Sequence, residues 1–122
     1  MRKQIISFQR SFQMWAFSVG HLQLLMRSTK VPGFPTRIDI LFKNVDVIQL
    51  PTKFDGLMIS EDSEKKIKEL YPWIDSRTIE GQKLFCVRGS NFMGHVIAGA
   101  VAWHEDELEY HDPSHFSIVP EL

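Results

Sequence analysis

Apolar and polar residues alternate along much of the first 28 residues of this 122-residue chain. Such alternation is typical of strands, because successive side chains of a strand point to opposite faces of a sheet. One face of the stretch from Ile5 to Ser28 begins with Phe8, Arg10, Phe12, Met14 and Ala16. Gly20 then predicts a turn or a bulge. The apolar face resumes at Leu22, Leu24 and Met26, so the pattern predicts two strands.

Prolines and glycines mark the breaks that follow. The segment from Val31 to Pro35 predicts a surface loop, because its prolines lack N–H donors for a sheet ladder. Alternation returns between Arg37 and Leu50, but it changes phase near Lys43-Asn44, which predicts either a bulge or a turn. Asp55-Gly56 predicts a further turn, and the short apolar run from Leu57 to Ile59 predicts a small edge strand.

One stretch has the features of an amphipathic helix. Ser60 is a suitable N-cap, the residues just after it are acidic, and Pro72 prevents the helix from continuing. Ile67, Leu70 and Tyr71 lie at the spacing of one helical face, so we expect all three to be packing residues. The pattern therefore predicts a helix from Ser60 to Tyr71 that packs against a sheet.

The region after the helix predicts a hairpin. Strands from Leu84 to Arg88 and from Phe92 to Trp103 flank the sequence Gly89-Ser90-Asn91, which favours a tight link. Alanine or glycine occupies positions 94, 98, 99, 100 and 102 of the second strand. We therefore expect the helix or an opposing sheet to pack tightly over these residues, as packing in a core requires, and the alternative is a ligand groove floored by backbone.

These elements together predict the fold class. The chain is 43% hydrophobic and 11% aromatic, which is enough to fill one core, so we expect a single globular domain over residues 1–122. About six or seven antiparallel strands and one helix predict an α+β fold that is mainly β. The expected architecture is an antiparallel twisted sheet or a small sandwich, with the amphipathic helix packed on it.

Composition argues against several classes of protein. One cysteine, Cys86, cannot form an internal disulfide, and the N-terminus lacks a secretory pattern, so we expect a cytoplasmic protein. The longest apolar stretch, from Val96 to Trp103, is too short to cross a membrane. A net charge of -1 creates no field that would attract nucleic acid. Cys86 lies within a predicted strand, where we expect a buried structural thiol and not a nucleophile.

Charge is sorted along the chain. Residues 1–37 carry six basic side chains and no acid, whereas residues 89–122 carry six acids and no lysine or arginine. Four of the five histidines also lie in this acidic third, namely His95, His104, His111 and His115. One interpretation is that the first and last strands lie side by side and pair these charges. The other is that the acids form an exposed patch suited to a basic partner or to head-to-tail self-association.

No motif in the chain specifies a reaction, so we predict a binding function and not an enzyme. The predicted function is a protein-binding or interaction module, without a cofactor, in which an acidic, His-containing surface contacts a basic protein partner. The predicted contact residues are Glu105, Glu107, Glu109 and Asp112. Phe34, in the proline-bounded loop, is a further candidate for an exposed anchor.

Two alternatives are compatible with the same residues. The first is a metal-binding domain or a metal-dependent enzyme, in which a divalent metal is held by His104, His111, Asp112 and His115. Because Asp112-Pro113 disfavours a helix there, a loop would have to wrap the ion. The second alternative is a structural subunit that forms a homodimer through an uncovered sheet edge.

Overall fold

The computed structural model describes residues 3–116 as one antiparallel sheet of eight strands with one short helix. The elements are β1 (Lys3–Ser18), β2 (Gln23–Ser28), β3 (Arg37–Lys43), β4 (Val47–Gln49), β5 (Lys53–Asp62), α1 (Glu64–Leu70), β6 (Lys83–Arg88), β7 (Met93–Ala98) and β8 (Ala100–Asp106). The prediction of a mainly β, α+β fold is confirmed. Within the described residues, no helix has the length and apolar character that crossing a membrane requires.

The sheet curls back on itself. Its strand order is β4-β7-β6-β5-β1-β2-β3-β8. Only Gly99 separates β7 from β8 in the chain, yet β7 pairs with β4 and β6 near one end of the sheet and β8 pairs with β3 at the other. Residues 93–106 therefore connect both ends, and the rings of Phe42 and Phe85 meet inside the curl with centroids 5.6 Å apart. The homodimer through a sheet edge stays a prediction.

The interior of the curl holds the main apolar core. Its fully or nearly fully buried members include Phe12, Met26, Ile40, Ile59, Val87 and Val96. Each of these six residues lies on a different strand, namely β1, β2, β3, β5, β6 or β7. Alternate side chains of a strand point to the same face, so each strand can direct one set of its residues inward. Burial of each such side chain stabilises the fold by about 1.5–3 kcal/mol.

Strand β1 is irregular where β5 pairs with it. Phe8 pairs with Leu57 and Ser11 pairs with Asp55, so β1 has two residues between these pairs where β5 has only Gly56. The extra residue makes a β-bulge, and the φ of +74° at Gly56 is one that favours glycine. The predicted turn at Gly56 is therefore wrong, because this glycine faces a bulge inside a ladder. Leu57 lies in the central strand β5 and not in an edge strand.

Helix α1 begins later than predicted. Residues 60–62 belong to β5 and pair with β6, so the N-cap is Ser63 and not Ser60. The helix ends within one residue of the predicted end, where the Tyr71 N–H donates to the Ile67 carbonyl oxygen (2.7 Å). Ile67 is buried as predicted, but Leu70 is exposed, so its predicted packing against the sheet is wrong and the packed face of the helix is narrower than its apolar pattern.

Other local predictions can be checked against the strands. The phase change near Asn44 is a turn, with a φ of +54° at this residue, and it leads from β3 to β4. The loop from Val31 to Pro35 and the hairpin of β6 and β7 are confirmed, but the second predicted strand does not run on to Trp103, because β7 ends at Ala98 and β8 pairs with β3 instead. A Cβ at Gly94 would collide with the Gln49 carbonyl oxygen, so a close approach is found there, but β4, the neighbouring strand of the same sheet, makes it and not the helix or an opposing sheet.

Two layers cover parts of the outer surface of the curl. The first consists of α1 and the connection after it, which pack an apolar cluster against β6 and β7: Ile67, Ile79, Leu84, Cys86 and Ile97. The second consists of residues 107–113, called the C-terminal loop below, which lie over β2 and β3. Between these layers the outer face of β1 and β5 remains exposed, for example at Ser11 and Asp55.

Candidate functional site

The acidic third of the chain folds as strand β8 followed by the C-terminal loop. Because β8 pairs with β3, Arg37 lies opposite Asp106 and Asp39 lies opposite His104. Arg27 on β2 lies opposite Asp39 in the next pairing. Directly paired residues share a face, so these five side chains gather on the outer surface of β2, β3 and β8.

Arg27 joins this surface to the C-terminal loop. Its side chain is only 1% exposed, and its Nε and Nη2 donate to the two carboxylate oxygens of Asp39 at 2.7 and 3.0 Å. Its Nη1 donates to the carbonyl oxygens of Tyr110 (2.6 Å) and Asp112 (3.2 Å). The buried guanidinium thus has a carboxylate on one side and loop backbone on the other, which is how a buried charge is stabilised.

Arg37 makes the same two kinds of contact as Arg27, with a carboxylate and with loop backbone. Its side chain is 0% exposed, and it donates to both carboxylate oxygens of Asp106 at 3.1 and 3.0 Å. It also donates to the carbonyl oxygens of Glu109 (3.0 Å), Asp112 (2.7 Å) and Pro113 (3.1 Å). Two buried arginines therefore hold the loop through carbonyl groups, which every residue type carries.

The Asp106 carboxyl group is part of the same support. Burial alone would raise its pKa, but hydrogen bonds from Arg37 and from the Leu108 N–H, with the positive charge of Arg37 and a contribution from His104, outweigh that effect and lower the pKa. The Leu108 N–H lies 3.0 Å from Asp106 Oδ1. Asp106 therefore remains ionised, and its hydrogen bond with the Leu108 N–H holds the chain where β8 passes into the C-terminal loop.

Aromatic contacts fix the loop from above. The Trp15 ring lies over the Arg27 guanidinium, 4.7 Å from ring centroid to Cζ, and its edge meets Tyr110 with centroids 6.4 Å apart. Tyr110 also contacts the His111 ring, with centroids 4.9 Å apart. Even so, Tyr110 is 57% exposed, and Leu108 is also exposed. The loop thus presents apolar groups to solvent on a rigid support.

The predicted contact acids have different environments. Asp112 accepts the Glu109 N–H (2.8 Å) and so closes the loop. Glu105 accepts from the Thr36 hydroxyl (2.5 Å) and lies 3.9 Å from Arg10, and Glu109 lies 3.2 Å from Lys30 Nζ. Glu107 is exposed and has no hydrogen bond or ion pair to another residue in the range 3–116.

Part of the charge sorting along the chain is therefore explained by ion pairs within the fold, between early basic residues and late acidic ones. Arg10, Lys30 and Arg37 each lie within 4.0 Å of a late carboxylate. The strand next to β8 is β3, however, and not the first strand as the pairing interpretation assumed. Glu107 and Glu109 remain on the outside, where they still give the loop an acidic rim.

The predicted metal ligands separate into two pairs. The His104 and His115 rings stack in parallel, with centroids 3.8 Å apart and planes inclined by 14°. His111 lies beside Asp112 instead, with Nε2 3.9 Å from Oδ1. In the described part of the chain, no group of three or more His, Cys, Asp or Glu side chains is placed to hold a metal ion. The metal site stays a prediction.

Phe34 lies away from the C-terminal loop, over Arg10. The distance from the Arg10 guanidinium carbon to the ring centroid is 4.8 Å, and Phe34 is partly exposed. Arg10 is buried and donates to the Thr29 carbonyl oxygen (3.3 Å), the Thr36 carbonyl oxygen (2.5 Å) and the Thr36 hydroxyl (2.9 Å). Burial lowers the pKa of Arg10, and the charge of Glu105 opposes that shift.

A cavity opens beside this arginine. It has a volume of about 360 Å³ and lies between the bulge of β1, the end of β2 and the loop that carries Phe34. We call it the bulge cleft, and its lining includes Gln9, Arg10, Ser11, Thr29, Phe34 and Asp55. Phe34 is the one residue of this set that the sequence predicted as a binding residue. A second sequence signal for this cleft was Arg10, a charged residue between Phe8 and Phe12 on an otherwise apolar strand face.

Known proteins offer no assignment for either surface. Comparisons with protein-family models, with curated proteins and with solved structures find no match. Function therefore has to be argued from the residues themselves. The C-terminal loop and the bulge cleft differ in shape and chemistry, since the loop projects apolar and acidic groups and the cleft encloses hydroxyl and amide groups.

Proposed function

We propose that the protein is a protein-binding module whose C-terminal loop, residues 107–113, contacts a basic protein partner. The observation that carries this proposal is the use of Arg27 and Arg37, 1% and 0% exposed, to hold carbonyl groups of a loop without regular structure. Loops positioned by a rigid scaffold are common binding elements. The proposal gives a reason for two buried cations at this one place.

Support from the arginines reduces the entropy lost on binding. A flexible loop that orders only in a complex loses about 0.5–1.5 kcal/mol for each side chain that is immobilised. Here Arg27 and Arg37 fix the backbone of residues 109–113, and Trp15 restrains the Tyr110 ring. The contact surface is therefore formed before a partner arrives.

The exposed side chains of the loop resemble a small interface. Tyr110 and Leu108 supply an aromatic and an aliphatic anchor, and tyrosine is common among the residues that dominate binding energy. Glu107 and Glu109 flank these anchors and would attract a basic surface, which raises association rates more than final affinity. Among the predicted contacts, Asp112 supports the loop from within, and Glu105 lies at the base of the loop beside Arg10.

A paired comparison of variants tests the proposal. The double substitution Glu107→Gln and Tyr110→Ala removes one rim charge and one anchor without touching Arg27 or Arg37. The matched control is Glu80→Gln with Trp73→Ala, an exposed acid and an exposed ring near the helix, where Trp73 is 73% exposed. Immobilised wild-type protein and both variants would be incubated with extract from the source cells, at low and at high salt, and bound proteins quantified by mass spectrometry.

The expected result is a protein that wild type and control retain equally and that the loop variant retains at least about tenfold less, since a lost anchor typically costs more than 1.4 kcal/mol. High salt should lower this retention, because exposed charges are screened. Equal retention by the loop variant, or loss only in the control variant, would contradict the proposal. Circular dichroism would confirm that both variants are folded.

A further inference from the structure

We propose that the bulge cleft is a binding site for a small, neutral, polyhydroxylated ligand of the size of one or two sugar units. Its volume of about 360 Å³ lies within the usual range for small-molecule sites, roughly 300–1,000 Å³. This site is separate from the C-terminal loop and does not depend on the function proposed for it.

The cleft exists because β1 leaves the regular ladder. Pairing of β1 with β2 begins only at Gln13 opposite Arg27, so the preceding residues of β1 have no β2 partner beside them. The bulge opposite Gly56 falls in this same unpaired stretch. β-Bulges are frequent next to binding sites because they redirect side chains. Here three consecutive residues of β1 at the bulge, Gln9, Arg10 and Ser11, lie in the lining.

Polar groups in the cleft can both donate and accept hydrogen bonds. Ser11 donates to the Asp55 carboxylate, and the Asp55 carbonyl oxygen accepts the Ser90 N–H (2.8 Å). These bonds hold a carboxylate and two hydroxyl groups at one end, with Gln9 and Thr29 nearby in the lining. A ligand rich in hydroxyl groups matches such a lining, since each hydroxyl donates one bond and accepts others.

Charges in the lining favour a neutral ligand over an ion. The lining contains one cation, Arg10, and one anion, Asp55, and their charges cancel. Arg10 is further compensated by Glu105 at 3.9 Å, and it already donates to Thr29 and Thr36. Its Nε is buried without a hydrogen-bond partner in the described chain, so this atom faces protein and not the open cleft. A single phosphate or carboxylate would gain little here and would be repelled by Asp55.

One wall of the cleft is apolar and rigid. Val31 and Phe34 are joined by reciprocal backbone hydrogen bonds of 3.2 and 2.8 Å, which close the loop into a tight turn. One side of the Phe34 ring rests on Arg10, and the ring remains 39% exposed. Because the C–H faces of a sugar ring are apolar, the exposed side of Phe34 can contact them while the polar wall bonds the hydroxyl groups.

Nuclear magnetic resonance titration tests the assignment with defined probes. Isotope-labelled full-length protein would be titrated separately with D-glucose, N-acetyl-D-glucosamine and cellobiose, and with inorganic phosphate and glycine as ionic probes. We expect at least one sugar to cause saturable shifts of the amide signals of residues 9–11, 55–56 and 90 at millimolar concentration. Signals of the C-terminal loop should not change, which separates this outcome from the fate of the loop proposal.

Variants of the cleft make the test decisive. Asp55→Asn keeps the size of the side chain but removes its charge, and we expect at least about tenfold weaker sugar binding because charged acceptors form the stronger hydrogen bonds. Asp75→Asn, an exposed aspartate after the helix, is the matched control and should bind as wild type does. Saturable shifts with phosphate or glycine alone, the absence of cleft shifts with all three sugars, or an unaffected Asp55→Asn variant would each overturn the proposal.

Discussion

The helix layer and the C-terminal layer cover the outer surface of the same sheet by different physical means. Beneath α1, the contacts are apolar, made by Ile67 and Ile79 against Ile97 and its neighbours on β6 and β7. Beneath the C-terminal loop, the contacts are ionic and hydrogen-bonded, made by Arg27 and Arg37. The contacts beneath both layers are buried, but only those of the second layer include charges whose loss would leave a buried partner unpaired.

The difference explains why the two layers suit different tasks. Apolar contacts are non-directional, so α1 can shift slightly without a large loss of stability. Hydrogen bonds from a planar guanidinium fix the direction of each acceptor, so the two arginines define the position of each carbonyl group that they bind. A loop that has to present side chains in a fixed arrangement benefits from the second kind of support. Stability measurements should therefore separate the layers.

Removal of Arg27 should have the largest effect. In Arg27→Met, Asp39 is left as a buried, unpaired carboxylate, which typically costs about 3–5 kcal/mol, and the Tyr110 carbonyl loses its donor. Urea unfolding should show this loss in the free energy of unfolding. Loop amide signals should change as well, whereas signals of α1 should not.

Two further variants check the cause. Arg77→Met removes an arginine that is 91% exposed and should change stability by less than about 0.5 kcal/mol. The double substitution Arg27→Met with Asp39→Leu should be less destabilised than Arg27→Met alone, because no unpaired charge remains. A double variant as unstable as the single one would show that the carbonyl bonds dominate, and a stable Arg27→Met would refute the ionic account of the layer.

Truncation in the helix layer should have the next largest effect. Ile67 is 0% exposed, so Ile67→Ala should leave a cavity and cost about 2–5 kcal/mol. Leu70→Ala on the same helix is the control, because Leu70 is exposed and should matter much less. Urea unfolding at several salt concentrations would show a loss that does not vary with salt. A salt-dependent loss would mean that the layer is not purely apolar.

Sequence patterns predicted the elements of the fold better than their arrangement. Alternation and turn residues are local signals, so most of the strands, the loop at Val31–Pro35 and the β6–β7 hairpin were found. The sheet order depends on pairing between distant residues, which alternation does not encode. Gly56 illustrates the limit, because a glycine after aspartate is common in turns, whereas here it lies within β5 opposite the bulge of β1.

The candidate site was predictable only in part. Acidic residues 105–112 were identified by their charge, but their support was missed, because Arg27 and Arg37 bind loop carbonyls and a carbonyl has no sequence signature. Phe34 was identified from its loop, while its neighbours in the bulge cleft come from four separate segments of the chain. Arg10 was foreseeable, since a charged residue on an apolar strand face needs a partner.

Acid should lower the stability that the C-terminal layer contributes and leave the contribution of the helix layer unchanged. We expect this effect to be smaller than those of Arg27→Met and Ile67→Ala. The pKa of Asp106 is lowered in the folded protein, so its charge stabilises the fold above its ordinary pKa near 3.9. That contribution is lost as the pH falls through the lower, folded value. The effect is smaller than the loss of Arg27 because a protonated carboxyl group remains in place and Arg37 keeps its three carbonyl acceptors.

The measurement is the difference in unfolding free energy between wild type and Asp106→Asn, from pH 6 down to the acid limit of folding. This difference should be constant near neutrality and should shrink below about pH 4, because wild type then loses the charge that the variant lacks. The corresponding difference between wild type and Ile67→Ala should stay the same, since no titrating group of that layer is removed. If the difference between wild type and Asp106→Asn does not change with pH, the charge of the Asp106 carboxylate adds nothing to its interaction with Arg37. The carbonyl contacts of Arg37 alone would then hold the loop.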